Sequence, residues 1–210
     1  MTAQMGKIKR AAGGEPASAP VAKRQRAEKS ATPAGSAELE TSGKYDVFVS
    51  HAGEQKRGVV GFLVEELKRA DRNLNVFVDY EMAAGTNATA LMVETARRAP
   101  VGVFVLSKDF FKKDWPLKEA NIFLERARAS PPQAHIVSYF YGVKPGKKVP
   151  GLTSAQQAVL DELSKFSGHE HHAGVDFEHA DVKAIADAVG RLVPPSTVGM
   201  LRERRSLLLY

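Results

Sequence analysis

Trp115 and Glu119 stand four residues apart within Val101 to Glu125, a stretch that reads as strand, loop and helix. Val101 to Leu106 is a continuous apolar run. It is too short for a free-standing helix and β-branched enough for a strand buried on both faces. Ser107 to Asp114 reads as a polar loop carrying Phe110 and Phe111. Asp114 is a good N-cap, and Pro116 is tolerated only in a first helical turn, so a helix starts there. On that helix Trp115 and Glu119 share one face, one turn apart. A carboxylate beside a large aromatic ring, just past the end of a buried strand, is where an open α/β sheet places its ligand. The plainer reading of the same spacing has Trp115 as core and Glu119 as a solvated helix position.

The elements that must position this pair alternate along the chain. Tyr45 to Ser50 reads as a first strand. Val59, Val60, Leu63, Val64 and Leu67 recur at helical spacing, and Leu74 to Asp79 reads as a second strand. A loop from Tyr80 to Thr86, with Gly85 as its flexible point, leads to a helix over about 87–98. After the central strand and helix, His135 to Tyr141 is a fourth strand, and Gly142 to Gly151 is a loop too polar for the core. Ser154 is expected to cap a helix over 155–166. A short strand is expected near Val175, Asp176 and Phe177, and a last helix over 181–193 before Pro194 and Pro195. Strands alternating with helices give a parallel sheet covered on both faces, and five such units point to a flavodoxin-like α/β fold.

Composition narrows the functional classes. The chain has 210 residues, no cysteine and a formal charge of +6. Disulfides, thiolate zinc sites and cysteine nucleophiles are thereby excluded. No apolar run is long enough to cross a membrane, and the N-terminal residues lack the apolar segment of a secretory signal. Residues 1–43 hold seven Lys/Arg against four Glu and lack apolar periodicity, so they read as a disordered basic leader. Within it, Lys9-Arg10 and Lys23-Arg24-Gln25-Arg26 are two basic blocks twelve residues apart, the pattern a nuclear import carrier reads, or else a solvating tail. The location expected is cytoplasm, nucleus or both. Residues 196–210 form a basic, leucine-rich tail, in which Leu201 to Tyr210 alternates basic residues with leucines, as either a short partner-binding or membrane-surface helix or a frayed terminus. The body between is close to neutral, so nucleic acid is not an expected partner.

Three segments carry a family resemblance. Tyr45-Asp46-Val47-Phe48-Val49-Ser50-His51 resembles the first sequence box of Toll/interleukin-1 receptor (TIR) domains. Asp79 to Gly85 resembles their second box and mobile loop, and Ser107 to Glu119 resembles the segment that ends in W-x-x-x-E. The resemblance covers about 44–195 with the elements in order. It implies a TIR fold that cleaves the nicotinamide–ribose bond of NAD or NADP as substrate, in immune or cell-death signalling. It implies no cofactor besides, and TIR–TIR self-association. It places the essential carboxylate at Glu119 and Trp115 as the wall of the ribose site. Phe48, Ser50 and His51 line the nucleotide pocket, and Asp79 and Gly85 lie on a loop that gates it or meets a neighbouring subunit. That loop has only Met82 to anchor it, so it is expected to open cheaply.

Some residues depart from the family pattern. Ala120 stands where Leu is usual, a modest loss of packing, and Gly61 and Phe62 replace the Ser-His pair through which plant receptors associate. His51-Ala52 removes an arginine able to meet phosphate, a role open to Lys56 or Arg57. His169, His171, His172 and His179 fall within eleven residues but read as a polar loop, and no metal site is expected. Two rival readings are a non-catalytic TIR adaptor and a nuclear nucleic-acid-binding protein.

Overall fold

The computed structural model describes residues 45–69, 74–172 and 178–193. The leader, the tail and the strand expected near 175–177 lie outside them. Among the described residues, strands and α-helices alternate: β1 (Val47–Ser50), α1 (Val59–Lys68), β2 (Val76–Phe77), α2 (Ala88–Arg98), β3 (Val101–Leu106), α3 (Asp114–Arg128), β4 (His135–Tyr141), α4 (Ser154–Leu163), β5 (Gly168–His171) and α5 (Glu178–Leu192). The five strands form one sheet in the order β2-β1-β3-β4-β5, and every neighbouring pair is parallel. This is the flavodoxin-like α/β sheet that the alternation predicts.

Alternation along the strands sorts two cores. Val47, Val49, Val101, Val103 and Val105 face one side, where Val60, Leu63 and Leu67 of α1 meet Val182, Ile185 and Val189 of α5. Phe48, Phe77, Phe104 and Leu106 face the other, against Met92 of α2, Phe123 of α3 and Leu160 of α4. All six residues of β3 are buried, as its unbroken apolar run requires.

The seat of α3 is set by Gly102. A Cβ at this position would lie 2.8 Å from the rings of both Phe104 and Phe123, so glycine lets Phe123 settle directly on the strand. Farther along α3, the Arg126 guanidinium donates to the carbonyls of Ala96 and Ala99, each at 2.8 Å, and closes the C-terminal end of α2. Ala120, the small residue where the family pattern has Leu, is fully buried beside them. Glu119 sits one turn before Phe123 and inherits this fixed position.

Several local expectations are corrected. Asp114 is the first residue of α3 rather than its cap; Lys113 holds the cap position without a side-chain bond, while the Asp114 charge still favours the helix N-terminus. Phe110 and Phe111 do not decorate a polar loop. They form a 3-10 turn and are fully buried, with the Phe110 N–H donating to Ser107 Oγ at 3.2 Å. Thr153, not Ser154, caps α4, in a reciprocal box with Gln156. Val143 and Val149 are buried, so the loop after β4 contributes to the core. β2 shortens to two residues.

The histidine-rich segment is a strand, not a loop. Gly168-His169-Glu170-His171 has poor strand propensity, but its pairing with β4 and its packing override that preference. His169 Nε2 and His171 Nδ1 lie 2.7 and 2.6 Å from the two carboxylate oxygens of Asp181 on α5, and Tyr139 donates to the same group at 3.1 Å. Burial alone would raise the Asp181 carboxyl, but these donors hold it below its ordinary value. The histidines thus join β5 to α5, and among the described residues no three side chains form a metal-binding set.

Candidate active site

The parallel sheet brings the loops after β1, β2 and β3 to one edge, and there a cavity of about 100 Å³ opens. Phe48, Phe77, Met92 and Pro116 supply apolar walls; His51, Asp79 and Glu119 supply the polar groups, with Trp115 alongside. Phe48 and Phe77 face each other in the β1–β2 register and stack at 5.1 Å between centroids. Pro116 and Glu119 come from the first turns of α3, which the Gly102–Phe123 contact holds down on the sheet.

Glu119 is 7% exposed, so its carboxylate is not the solvated helix position of the plainer reading. Burial raises its pKa to about 7, and the charge of Asp79 adds to the rise; the Ser50 hydroxyl and His51 act in the opposite direction. Ser50 Oγ donates to Glu119 Oε2 at 2.5 Å. A buried carboxylate with one strong donor and an apolar surround is poised to stabilise positive charge that develops beside it.

Asp79 organises the other side. His51 Nε2 lies 3.2 Å from Asp79 Oδ1, and Lys56 Nζ lies 3.1 Å from Asp79 Oδ2. His51 Nδ1 lies 2.7 Å from the Ala52 carbonyl, which fixes the ring. Burial would raise the Asp79 carboxyl, yet the hydrogen bonds from His51 and Lys56 leave it below its usual value. The loop that follows is less free than its composition predicts. It begins in a 3-10 turn, Asp79–Glu81, whose Glu81 pairs with Lys68 of α1, and Met82 packs on the core. Lys56 is engaged with Asp79 and lies 5.8 Å from the Tyr80 ring centroid.

The structure therefore gathers Phe48, His51, Asp79, Trp115 and Glu119 around one cavity. Ser50 is at the same place, with its hydroxyl spent on Glu119. Gly85 is not part of the lining. It sits in the loop before α2 at φ +86°, with open space where a Cβ would project, so its role is that of a turn. Phe77, Met92 and Pro116 were absent from the expected set. Apolar patterning marks Phe77 and Met92 only as core; the β1–β2 register and the seating of α2 make them cavity walls.

Comparison with known proteins agrees with this architecture. The sequence profile of the TIR domain family matches residues 47–175. An NAD(+) hydrolase, TcpA of Theionarchaea archaeon, is 36% identical over 84 residues, covering 40% of this chain and 25% of that protein. The 2' cyclic ADP-D-ribose synthase AbTIR of Acinetobacter baumannii is 38% identical over 88 residues, covering 41% of this chain and 32% of that one. The chain thus spans about a quarter to a third of the length of these curated relatives. Among solved structures, the TIR domains of the activated Roq1 resistosome superpose with a TM-score of 0.53 at 20% identity, over 70% of this chain and 99% of that one, a likeness of fold. The chain belongs to the TIR domain family.

Proposed function

We propose that this chain is an NAD glycohydrolase in which Glu119 is the catalytic carboxylate. The observation that carries the reading is a desolvated carboxylate at the edge of a parallel sheet, fixed by Ser50 and facing an aromatic-walled cavity. Breaking the C1′–N bond sends its electron pair to the pyridinium nitrogen, so nicotinamide leaves neutral and needs no general acid, unlike an ordinary sugar leaving group. The ribosyl cation left behind is what requires stabilisation, and an ionised Glu119 supplies it. Water then adds and releases a proton, giving ADP-ribose; capture by a hydroxyl of the substrate itself gives a cyclic product instead. Names of relatives include both outcomes.

A cavity of about 100 Å³ has room for one flat ring rather than a dinucleotide, since ligand pockets run to roughly 300–1,000 Å³. The nicotinamide end belongs inside, and the rest of the substrate runs across the mouth. Self-association would cover it there, and Phe62 on α1, 55% exposed, offers an apolar contact for a second copy. The same residue favours the second reading, an adaptor acting only through TIR–TIR association. Import through the two basic blocks of the leader is a further part of the proposal, read by comparing the distribution of full-length chain with a form lacking 1–43. Mass spectrometry of products from NAD and NADP, for wild type and Glu119→Gln, tests the enzymatic reading. Nicotinamide from wild type and none from the variant is expected; no nicotinamide from either leaves the adaptor.

A further inference from the structure

We infer that Lys118 is the residue that recognises the pyrophosphate of the substrate, and so sets the preference for a dinucleotide over an unphosphorylated nicotinamide riboside. For the ligand's identity the inference rests on the NAD-cleaving reading of the same cavity. On α3, Trp115 lies four residues before Glu119 and three before Lys118, so its ring neighbours both, with Glu119 buried and Lys118 exposed. Glu119 and the half-buried Trp115 both line the cavity, and the exposed Lys118 ammonium lies 4.6 Å from the Trp115 ring centroid. A substrate with its nicotinamide ribose at Glu119 that leaves the cavity past Trp115 brings its pyrophosphate to Lys118.

Three neighbouring lysines are committed to carboxylates. Lys56 faces Asp79 at 3.1 Å, Lys112 faces Asp109 at 2.8 Å and Lys113 faces Glu54 at 3.7 Å. Lys118 has no carboxylate partner among the described residues; its ammonium rests on the aromatic ring instead. At an exposed site a cation–π contact is weak, so an incoming anion takes over the ammonium without breaking an ion pair. The ring contact partly orders the flexible stem beforehand, which lowers the ordering cost of binding. Lysine suits this role as a compact point charge with rotatable donors.

Trp115 is the only tryptophan of the chain, so its fluorescence reports on the rim without requiring turnover. Titrating ADP-ribose, adenosine and nicotinamide into wild type, Lys118→Ala, Lys118→Arg and the distant charge control Lys183→Ala gives the dissociation constants. Loss of one charge-assisted contact should weaken ADP-ribose roughly tenfold in Lys118→Ala, with adenosine and nicotinamide unchanged, Lys118→Arg restored and Lys183→Ala equal to wild type. Raising the salt should weaken ADP-ribose binding to wild type more than to Lys118→Ala. In turnover, KM for NAD should rise in Lys118→Ala with kcat little changed, and KM for nicotinamide riboside should stay put. Equal ADP-ribose affinity in wild type and Lys118→Ala, or no ADP-ribose binding by wild type, overturns the assignment whatever the turnover. Lys118-dependent ADP-ribose binding with no nicotinamide release would instead overturn the glycohydrolase reading and uphold this one.

Discussion

Ser50 and Glu119, sixty-nine residues apart in sequence, meet in the core with the serine hydroxyl donating to the carboxylate at 2.5 Å. The end of β1 and the second turn of α3 are thereby locked together at the point where chemistry is proposed. The bond favours the ionised form of a carboxylate that burial pushes toward neutrality. Ser50 is therefore a positioning residue, and its effect should appear in a pH profile. In Ser50→Ala the Glu119 pKa should rise above its value of about 7, moving the rising limb of kcat to higher pH. Steady-state rates across pH 5.5–9 check this; an unshifted limb would mean that the hydroxyl only packs.

Glu119 should also cost the fold stability where it is ionised. Its pKa is about 7 in the folded chain against 4.5 for the free group. Below the lower value both states are protonated and no penalty exists. As pH rises from 4.5 through 7 the unfolded chain ionises first, so stability falls, and above 7 the loss levels off at about 3 kcal/mol. Glu119→Gln removes this titration while keeping the volume. Its melting temperature relative to wild type should therefore climb between pH 4.5 and 8, even as turnover falls by about a hundredfold or more. Thermal denaturation at several pH values reads this directly; a constant difference across that range would rule out the raised pKa.

Much of this was legible in the chain, and the limits have physical causes. β3 and β4 were readable to the residue because both are rich in β-branched and aromatic residues and end at Ser107 and Gly142. The Trp115–Glu119 face was readable because Pro116 fixes where α3 begins. β5 was not, since a Gly-His-Glu-His strand has no local signal and exists through its pairing with β4 and the bonds to Asp181. Phe110 and Phe111 were misplaced because a short 3-10 turn has too few residues to show a period. Ser50 was legible as a site residue but its partner was not, because the contact crosses from β1 to α3. Gly85 was legible as a turn, but whether it touches the cavity depends on the path of the loop.

Gly102→Ala tests the seat of α3. The added methyl would sit 2.8 Å from Phe104 and Phe123, and overpacking of this kind costs about 1–3 kcal/mol. Because Phe123 lies one turn from Glu119, the strain should displace the carboxylate and lower kcat beyond the loss of stability. Adding Phe123→Leu should recover part of both. Chemical denaturation beside turnover for the single and double variants shows whether the two losses share a cause.

Asp181→Asn should destabilise the domain without touching the site. The variant leaves His169, His171 and Tyr139 facing a neutral amide in a buried position, a loss of about 2–4 kcal/mol. β5 stands three strands from β1, roughly 14 Å away at the usual strand spacing, so KM and kcat at moderate temperature should match wild type. Wild type should also lose stability on acidification below the ordinary carboxyl range, since the depressed Asp181 pKa contributes above pH 3.8 and is lost as that group protonates. The variant should lack that share of the acid transition. Melting curves from pH 2.5 to 7 for both proteins decide it.

The last prediction concerns concentration. In the proposed fit only one ring of the substrate enters the cavity, and the loop from Asp79 onward is tied to the segment before α1 by Lys56–Asp79 and to α1 by Lys68–Glu81, pairs more than a third exposed and worth at most about 1 kcal/mol each. Such ties hold the loop near the mouth but do not build walls for the rest of a dinucleotide. A second copy can supply the missing cover, and a site completed between copies is populated by mass action. Specific activity should therefore rise with protein concentration. Phe62→Ala, which trims an exposed apolar contact from α1, should move that rise to higher concentration. Gly85→Ala probes the loop, since a Cβ at φ +86° strains the turn by about 1 kcal/mol. It should alter the concentration dependence while leaving the sheet intact. Light scattering run beside the assay settles the matter: constant specific activity from a monomer at every dilution would show that one copy makes the whole site.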